Sequence, residues 1–308
     1  MKKRFLIVLL LASCFAFVTK AQKTQFSFFD ERGLVRLQTI EFDALADTIA
    51  VMSHRSDDIV WMRTVYRVID MREKQNYRLY FPVRYDNPNY KNLFKVILDA
   101  ICEDGLTAYE RGVEFIPRYD RPLTAEDLQA NMQLPKETEG EENSYLIEVD
   151  ALGTPQLNVD NFTYYVRDQL KYVIQEVVFF DKHTSRLYSK ILGIAPLYSA
   201  HPYKQDATAI LSLRTSLLFW VLFDDLRPYL AKNLVINTSN ELQRMTFDDF
   251  FVQKLYSDYL LGDNNVFGRM LLDYDKVIDE SRFEAFIKKE QKRIETELLN
   301  FEQDLWEY

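Results

Sequence analysis

The feature that most constrains this chain is a pair of apolar segments separated by a short polar turn. Residues 171–180 are rich in tyrosine, valine, isoleucine and phenylalanine, and residues 186–194 continue in the same way. Residues 181–185 have the composition of a turn, and Pro196 marks the end of the second segment. Two β-prone runs joined in this way predict a β-hairpin. The fold is therefore expected to contain an antiparallel sheet.

Apolar periodicity and cap residues predict the remaining elements. Helices are predicted over residues 59–73, 90–103 and 281–305, with shorter helices that begin near Thr124 and Thr246. Strands are predicted over residues 77–83, 145–149 and 217–223, the last apolar on both faces as a central strand would be. The chain has no repeat and no linker long enough to divide two domains. We predict a single α+β domain with a largely antiparallel sheet, flanking helices and a long C-terminal helix.

Three details of the predicted helices depend on single residues. Thr124 with Asp127, and Thr246 with Asp249, have the spacing of capping boxes. Gly105 is placed to end the helix over residues 90–103. The last helix carries an apolar stripe of Phe283, Phe286, Ile287, Ile294, Leu298 and Phe301. A stripe of this kind packs either on its own domain or on a neighbour.

The first residues have the three-part pattern of a secretory signal peptide. Residues 2–4 are basic, residues 5–18 are uncharged and apolar, and Thr19 and Ala21 are the small residues before a cleavage site. We predict cleavage between Ala21 and Gln22. The apolar run is shorter than the roughly 18 residues of a membrane-spanning helix. The mature chain is therefore expected not to span a membrane.

A sequence similar to a lipobox offers an alternative for the same region. Leu-Ala-Ser-Cys at residues 11–14 would make Cys14 a lipidated N-terminus, but residues 15–18 remain apolar where a lipoprotein usually turns polar. We prefer cleavage after Ala21, which leaves Cys102 as the only thiol. An exported chain with one thiol has no internal disulfide, so its stability must come from burial. Cys102 itself is expected to be a buried, structural thiol.

The chain divides into three segments. We predict a signal peptide at residues 1–21, an extended N-terminal arm at residues 22–57 and a folded domain at residues 58–308. Loss of the signal removes four basic residues and no acidic ones, which leaves 34 basic against 47 acidic residues and a net charge of −13. Such a chain is a poor electrostatic match for nucleic acid or an anionic lipid surface. Its charge favours solubility, or partners with basic patches.

The sequence contains none of the common catalytic motifs. The chain has only eight glycines, and no dinucleotide-binding motif, P-loop or nucleophile elbow can be written with them. His54, His183 and His201 are far apart in sequence and form no zinc-binding pattern. The acidic pairs at residues 224–225 and 248–249 lie at helix starts, where carboxylates stabilise the helix dipole. We predict no catalytic, cofactor-binding or metal-binding residues.

Three segments carry a resemblance to a known family. They read DIVWMRTVYRVID at residues 58–70 with LYFP at 79–82, FDK at 180–182 with ILGIAP at 191–196, and LFW at 218–220 with DLRP at 225–228 and TFDD at 246–249. In this order they resemble the GldN/PorN family of the type IX secretion and gliding motility machinery. The resemblance spans most of the mature chain.

The resemblance implies an exported, non-catalytic subunit in the periplasm, at the inner face of the outer membrane. Proteins of that family assemble with an outer-membrane lipoprotein, GldK or PorK, into large rings. The rings work with an inner-membrane motor of the GldL and GldM type, or PorL and PorM. The resemblance therefore implies self-association in a ring and these partners for the present chain. It supplies no catalytic residues.

Four residues match positions of the family and are chemically suited to anchor contacts with a partner: Trp61, Tyr66, Trp220 and Arg227. All four lie in apolar elements, so a place in the core of the chain itself is the alternative. The alternative function is a periplasmic enzyme or small-ligand-binding protein. Its site would gather the histidines or the acidic pairs in a deep pocket with perturbed pKa values.

Overall fold

An antiparallel sheet flanked by helices forms the body of the chain. The computed structural model describes residues 51, 54–85, 90–112, 116–133, 144–168, 171–200, 214–236, 245–263 and 280–306. Within these ranges the strands are β1 (Ile59–Asp70), β2 (Ala108–Arg111), β3 (Pro117–Pro122), β4 (Ile147–Val149), β5 (Pro155–Leu157), β6 (Lys171–Asp181), β7 (Arg186–Ala200), β8 (Arg214–Leu217), β9 (Trp220–Leu222) and β10 (Tyr259–Asp263). The α-helices are α1 (Tyr77–Tyr80), α2 (Leu93–Cys102), α3 (Ala125–Asn131), α4 (Val159–Asp168), α5 (Phe223–Lys232), α6 (Phe247–Val252) and α7 (Glu280–Trp306).

The strands form one large sheet and one separate hairpin. The large sheet has the order β10-β1-β6-β7-β9-β2-β3, with β8 paired to β7 beside β9, while β4 pairs only with β5. Neighbouring strands run antiparallel in every pairing of the described residues. The prediction of an α+β fold with a largely antiparallel sheet and a long C-terminal helix is confirmed.

The predicted hairpin is the centre of the sheet. β6 and β7 pair from Lys171 opposite Leu197 to Asp181 opposite Arg186. Asp181 stabilises the turn, because its Oδ1 accepts a hydrogen bond of 2.8 Å from the backbone N–H of His183. β6 lies between β1 and β7, and it is buried along nearly its whole length. This explains why its sequence is almost continuously apolar rather than alternating.

The helix predicted over residues 59–73 is wrong, since this segment forms strand β1. Its apolar residues recur at helical steps, but six of its twelve residues are β-branched, which favours a strand. β1 pairs with β6 along its length and with β10 from Val65 to Val68. Both partners come from distant parts of the sequence. Hydrogen bonds to these distant strands decide the conformation of residues 59–70. A periodicity within the segment gives no information about such long-range partners.

Two predicted strands also differ from the structure. Residues 77–83 were expected to be extended, but a 3₁₀ turn at Lys74–Asn76 leads directly into α1, and only the residues from Phe81 onward are extended. The strand predicted over residues 217–223 is divided. β8 ends at Leu217, β9 covers Trp220–Leu222, and α5 begins at Phe223. The continuous apolar run reflects burial at this point rather than one regular element, since Leu217 to Val221 are all buried.

The predicted caps and the long helix are confirmed. Thr124 and Asp127 form a reciprocal capping box at α3, and Thr246 and Asp249 form one at α6. α2 is followed by Gly105 with φ +70°, a backbone conformation that glycine adopts without steric cost. The short strand predicted at residues 145–149 is present as β4. These features depend on residues that are close in sequence, which is why the sequence predicts them.

The sheet carries apolar side chains on both faces. The main core includes Ile69 of β1 and Ile174 of β6 together with side chains from α2, α4, α5 and α6. A second cluster contains the neighbouring residue Val68 with Tyr66, Trp220 and Leu261 of β10, and Tyr119 of β3 packs against it. Adjacent residues of a strand point to opposite faces. The two clusters therefore lie on opposite sides of the sheet.

Helix α7 packs on the outer part of the sheet near β10. Ile294 is fully buried against Val65 and Leu260, with Ile287 and Leu298 packed around them. Trp61 stacks on Phe301 at 4.3 Å between ring centroids. The predicted apolar stripe thus packs on its own chain, although Leu299 remains 52% exposed. In the described parts of the chain, no helix combines the length and apolarity needed to cross a membrane.

Candidate functional site

A group of charged side chains, most of them buried or half-buried, lies where α5 and α6 meet the centre of the sheet. We call it the charge cluster, and its members are Arg67, Glu176, Lys190, Asp224, Arg227, Asp248, Lys254 and Asp258. Four of these side chains are basic and four are acidic, so their charges balance. Buried ionisable groups with perturbed pKa values occur at functional sites, although structural ion-pair networks perturb pKa values as well. The contacts within the cluster decide whether it has the features of a functional site or of a structural ion-pair network.

Glu176 is an acid placed in the middle of the apolar strand β6. Its Oε2 accepts a hydrogen bond of 3.0 Å from Nε of Arg67, and its Oε1 contacts Nζ of Lys254. Arg67 also donates from Nη1 to Asp258 Oδ1 at 2.9 Å. Burial by itself would raise the pKa of Glu176, but Lys254 and Arg67 outweigh that effect and lower it. Glu176 is therefore ionised and links β1, β6 and the segment after α6.

Lys190 and Asp224 form a second ion pair, in which the effect of burial outweighs the attraction between the two charges. Nζ of Lys190 on β7 donates to Oδ2 of Asp224, in the first turn of α5, at 3.3 Å. Burial lowers the pKa of Lys190 to about 8, against the opposing attraction of Asp224. Burial likewise raises the pKa of Asp224, although Lys190 opposes this shift. Both shifts favour the neutral forms of the pair. The other carboxylate oxygen of Asp224 is buried without a hydrogen-bond partner.

Arg227 and Asp248 are the most deeply buried pair of the cluster. Arg227 lies three residues after Asp224 on α5, and Asp248 lies in the first turn of α6. Nε of Arg227 donates to Oδ1 of Asp248 at 2.7 Å, and Nη2 donates to Oδ2 at 3.0 Å. Two parallel hydrogen bonds fix both distance and orientation. The pair therefore holds α5 and α6 together inside the core.

A small cavity opens beside the cluster. It has a volume of about 70 Å³, and its wall includes Lys190, Asp224, Arg227 and Lys254 together with apolar residues of α5, α6 and β7. Small-molecule sites usually have roughly 300–1,000 Å³. The one hydroxyl-bearing residue of the wall, Ser189, contacts Lys254 through its Oγ. The cavity is therefore small, and the ion pairs that join the helices to the sheet form part of its wall.

We expect Lys190 to titrate near pH 8. Because the unfolded chain keeps this proton up to the ordinary lysine pKa of 10.5, the folded chain loses it first. The contribution of Lys190 to the free energy of unfolding should therefore rise as the pH increases from about 8 to 10.5. NMR of ¹³Cε-labelled lysine should show one signal with a midpoint near pH 8 that is missing in Lys190→Arg. A set of lysine signals that all titrate in the ordinary range would contradict this expectation.

Of the four predicted interface residues, the structure brings Tyr66 and Trp220 together, edge to face at 6.4 Å between ring centroids. Tyr66 is buried, and its hydroxyl accepts a hydrogen bond of 3.1 Å from Gln175. Burial raises the pKa of Tyr66 to about 12. Trp220 is fully buried in the cluster on the same side of the sheet, Arg227 is in the charge cluster, and Trp61 is half-buried under α7. Their packing agrees with the alternative of a place in the core, and their role in an interface stays a prediction.

The histidines and Cys102 have separate environments. Nδ1 of His54 is 2.7 Å from Oδ2 of Asp181, while His183 is exposed in the adjacent turn. His201 and the predicted cleavage site lie outside the described residues. Burial, Asp99 and Glu103 raise the pKa of Cys102 to about 12, which suppresses the reactive thiolate. Among the described residues, no three His, Cys, Asp or Glu side chains are arranged to hold a metal ion.

The acidic pairs are only partly explained by helix capping. Asp249 is the capping-box partner of Thr246, as predicted. Asp248 instead turns into the core towards Arg227, and Asp224 turns towards Lys190. One acid of each pair thus belongs to the charge cluster. Arg67 and Glu176 were not among the predicted site residues. For Glu176 the available signal was a charged residue within an apolar predicted strand, whereas the helix predicted over residues 59–73 hid the same signal for Arg67.

The fold and the charge cluster define an α+β domain in which buried ion pairs connect helices to a sheet. A family model described as "Gliding motility associated protein GldN" matches residues 54–307, and the chain belongs to this family. The resemblance found in the sequence is thereby confirmed. No curated protein matches the chain.

Proposed function

We propose that the chain is a non-catalytic structural subunit of the type IX secretion and gliding motility machinery. It forms a ring in the periplasm, at the inner face of the outer membrane, with a lipoprotein of the GldK or PorK type. Motor components of the GldL and GldM type act on this ring. The observation that carries the proposal is the family match over residues 54–307. The signal-peptide pattern of residues 1–21 supports an exported location.

The site geometry supports a structural role over the alternative of an enzyme or ligand-binding protein. The cluster brings Asp224 and Asp248 together, as that alternative required, but each has a basic partner at hydrogen-bond distance. The adjacent cavity is far smaller than a usual substrate pocket. Ion pairs connect α5 and the segment after α6 to the sheet, which favours a stiff domain. Stiffness suits a subunit that transmits force through its contacts.

Exposed apolar side chains indicate where a partner can bind. Val60 and Met62 are 62% and 46% exposed, and they lie two residues apart on β1. The register of β1 with β6 shifts between Ile59 and Trp61, so Val60 lies at an irregularity of the strand next to Met62. Exposed apolar side chains that lie close together occur at protein–protein contacts. Trp61, one of the predicted interface residues, lies between them in the sequence.

Assembly tests the proposal. A tagged chain, purified from solubilised envelope and viewed by negative-stain electron microscopy, should appear as rings with a co-purifying lipoprotein. Val60→Asp with Met62→Asp should reduce recovery of the lipoprotein, while Leu152→Asp, at an 88% exposed site in a turn, should not. Thermal unfolding of each variant checks that the fold is intact. A lone monomer from cells that express the partner would overturn the proposed function.

A further inference from the structure

The turn between β4 and β5 holds an apolar side chain in solvent. Leu152, in this turn, is 88% exposed. Asp150 fixes the backbone around it, because its Oδ1 accepts hydrogen bonds from the backbone N–H groups of Leu152 at 2.8 Å and of Thr154 at 2.9 Å. We call residues 150–154 the hairpin tip. An apolar side chain on a turn that is ordered in advance loses little conformational entropy when it binds.

The hairpin is also acidic. Residues 144–161 contain Glu148, Asp150 and Asp160 and no lysine or arginine. Glu148 and Asp160 are exposed. The hydrogen bonds from Thr154 lower the pKa of Asp150, so this carboxylate is ionised at neutral pH. The hairpin tip therefore suits an apolar pocket whose wall carries positive charge.

The cavity beside the charge cluster has a wall of this kind. Five of the wall residues are apolar: Val51, Ile191, Phe223, Phe251 and Val252. The charged residues of the wall are three basic ones and one acidic one: Lys190, Arg227, Lys254 and Asp224. Ser189 and Lys254 are exposed, so the cavity reaches the surface of the domain between them.

The size of the cavity fits the end of one branched side chain. A cavity of ~150 Å³ holds the six carbon atoms of benzene, so 70 Å³ corresponds to about three carbon atoms. That is the branched end of a leucine. The wall also contains the Oδ1 atom of Asp224, which is buried without a hydrogen-bond partner and which an N–H group of an inserted segment would satisfy.

The hairpin tip does not fill the cavity of its own chain. β4 and β5 pack on α3, and β5 also packs on α2, whereas the cavity lies between β7, α5 and α6. The tip and the cavity are therefore two different surfaces of one chain. A contact between different surfaces of identical chains is head-to-tail, and its repetition generates closed rings or open filaments.

We propose that Leu152 of one copy of the chain inserts into this cavity of the next copy. The acidic residues of the hairpin then approach the basic residues of the cavity wall. The inference rests on the proposed function, since it names the contact between neighbouring subunits of the ring. It assigns self-association to the hairpin tip and leaves Val60 and Met62 for the lipoprotein.

Disulfide trapping in the cell envelope tests the contact. In the chain with Cys102→Ser, the pair Leu152→Cys and Ser189→Cys places one thiol on the tip and one at the mouth of the cavity. Non-reducing electrophoresis should show covalent oligomers longer than dimers, because each chain is linked to two neighbours. The matched control, Leu152→Cys with Leu299→Cys, has its second thiol at a 52% exposed site on α7 and should give on the order of tenfold less.

Four outcomes of this trapping experiment would overturn the proposal. They are equal amounts of oligomer in the two variants, dimers alone, no cross-link, and a cross-link from Leu152→Cys to a different protein. The last outcome would make that protein the occupant of the hairpin tip.

A charge on the tip separates this contact from the proposed function. Leu152→Asp should abolish rings and still recover the lipoprotein, while Leu299→Asp should leave both unchanged. Thermal unfolding of both variants checks the fold. If Leu152→Asp forms the same rings as the unaltered chain, the inference fails and the proposed function stands. If the unaltered chain forms head-to-tail oligomers through Leu152 but recovers no lipoprotein, the inference stands and the proposed function fails.

Discussion

Arg227→Met is expected to lower the free energy of unfolding by about 3–5 kcal/mol, because Asp248 would remain in the core without the guanidinium group that pairs with it. Asp248 is completely buried, and Arg227 is 5% exposed. Arg227 donates two hydrogen bonds to this carboxylate, at 2.7 and 3.0 Å. Urea denaturation, followed by circular dichroism, measures the loss.

Two further variants separate the ion pair from the volume of the side chains. Arg227→Met combined with Asp248→Leu removes both charges and should recover most of the lost stability, as replacement of a whole buried pair by apolar groups often does. Arg293→Met breaks an exposed pair with Glu290 and Glu297 on α7 and should cost about 1 kcal/mol or less. If Arg227→Met is no more destabilising than Arg293→Met, the Arg227–Asp248 pair does not stabilise the packing of α5 against α6.

The same measurement clarifies the interface prediction for Arg227. A variant that no longer assembles because it is unfolded says nothing about a contact with the partner. The double variant is expected to keep α5 and α6 packed together, although it lacks the guanidinium group of Arg227. If the folded double variant still assembles, Arg227 acts through the stability of the domain.

Gly193→Ala is expected to lower the free energy of unfolding by about 1–3 kcal/mol, as overpacking of a core does. A methyl group at Gly193 would meet the hydroxyl of Tyr119, and it would lie 3.2 Å from the carbonyl oxygen of Val221 and 3.3 Å from the ring of Trp220. Tyr119 is not free to withdraw, since its hydroxyl donates to Gln175 at 2.9 Å. In an ordinary strand the same substitution would be neutral or stabilising.

A double-mutant cycle tests this cause directly. Tyr119→Phe removes the hydroxyl that the new methyl group would meet, so Gly193→Ala should be less harmful in that background. Tyr119→Phe alone measures the loss of the hydrogen bond to Gln175. Thermal unfolding of the four proteins gives the coupling. Purely additive effects would show that the hydroxyl of Tyr119 is not what excludes a side chain at position 193.

The two pairs of variants also show which parts of the site a sequence can reveal. Gly193 belongs to a segment recognised from the sequence, and glycine within a strand is itself a sign of close approach. Nothing near Gly193 in the sequence indicates that Tyr119 is the group that approaches. Likewise, Asp248 looks like a helix-capping acid, and only the packing of α5 against α6 turns it towards Arg227.

The sequence by itself determined the features whose physical cause is local. The β6–β7 hairpin, the two capping boxes and the apolar stripe of α7 each depend on residues a few positions apart. The tertiary structure alone decided that residues 59–70 form a strand, because β6 and β10 supply the hydrogen bonds. It also decided the charge cluster, since Arg67 and Glu176 are 109 residues apart. Pairings over such distances arise from the packing of whole elements. They cannot be predicted from a pattern of neighbouring residues.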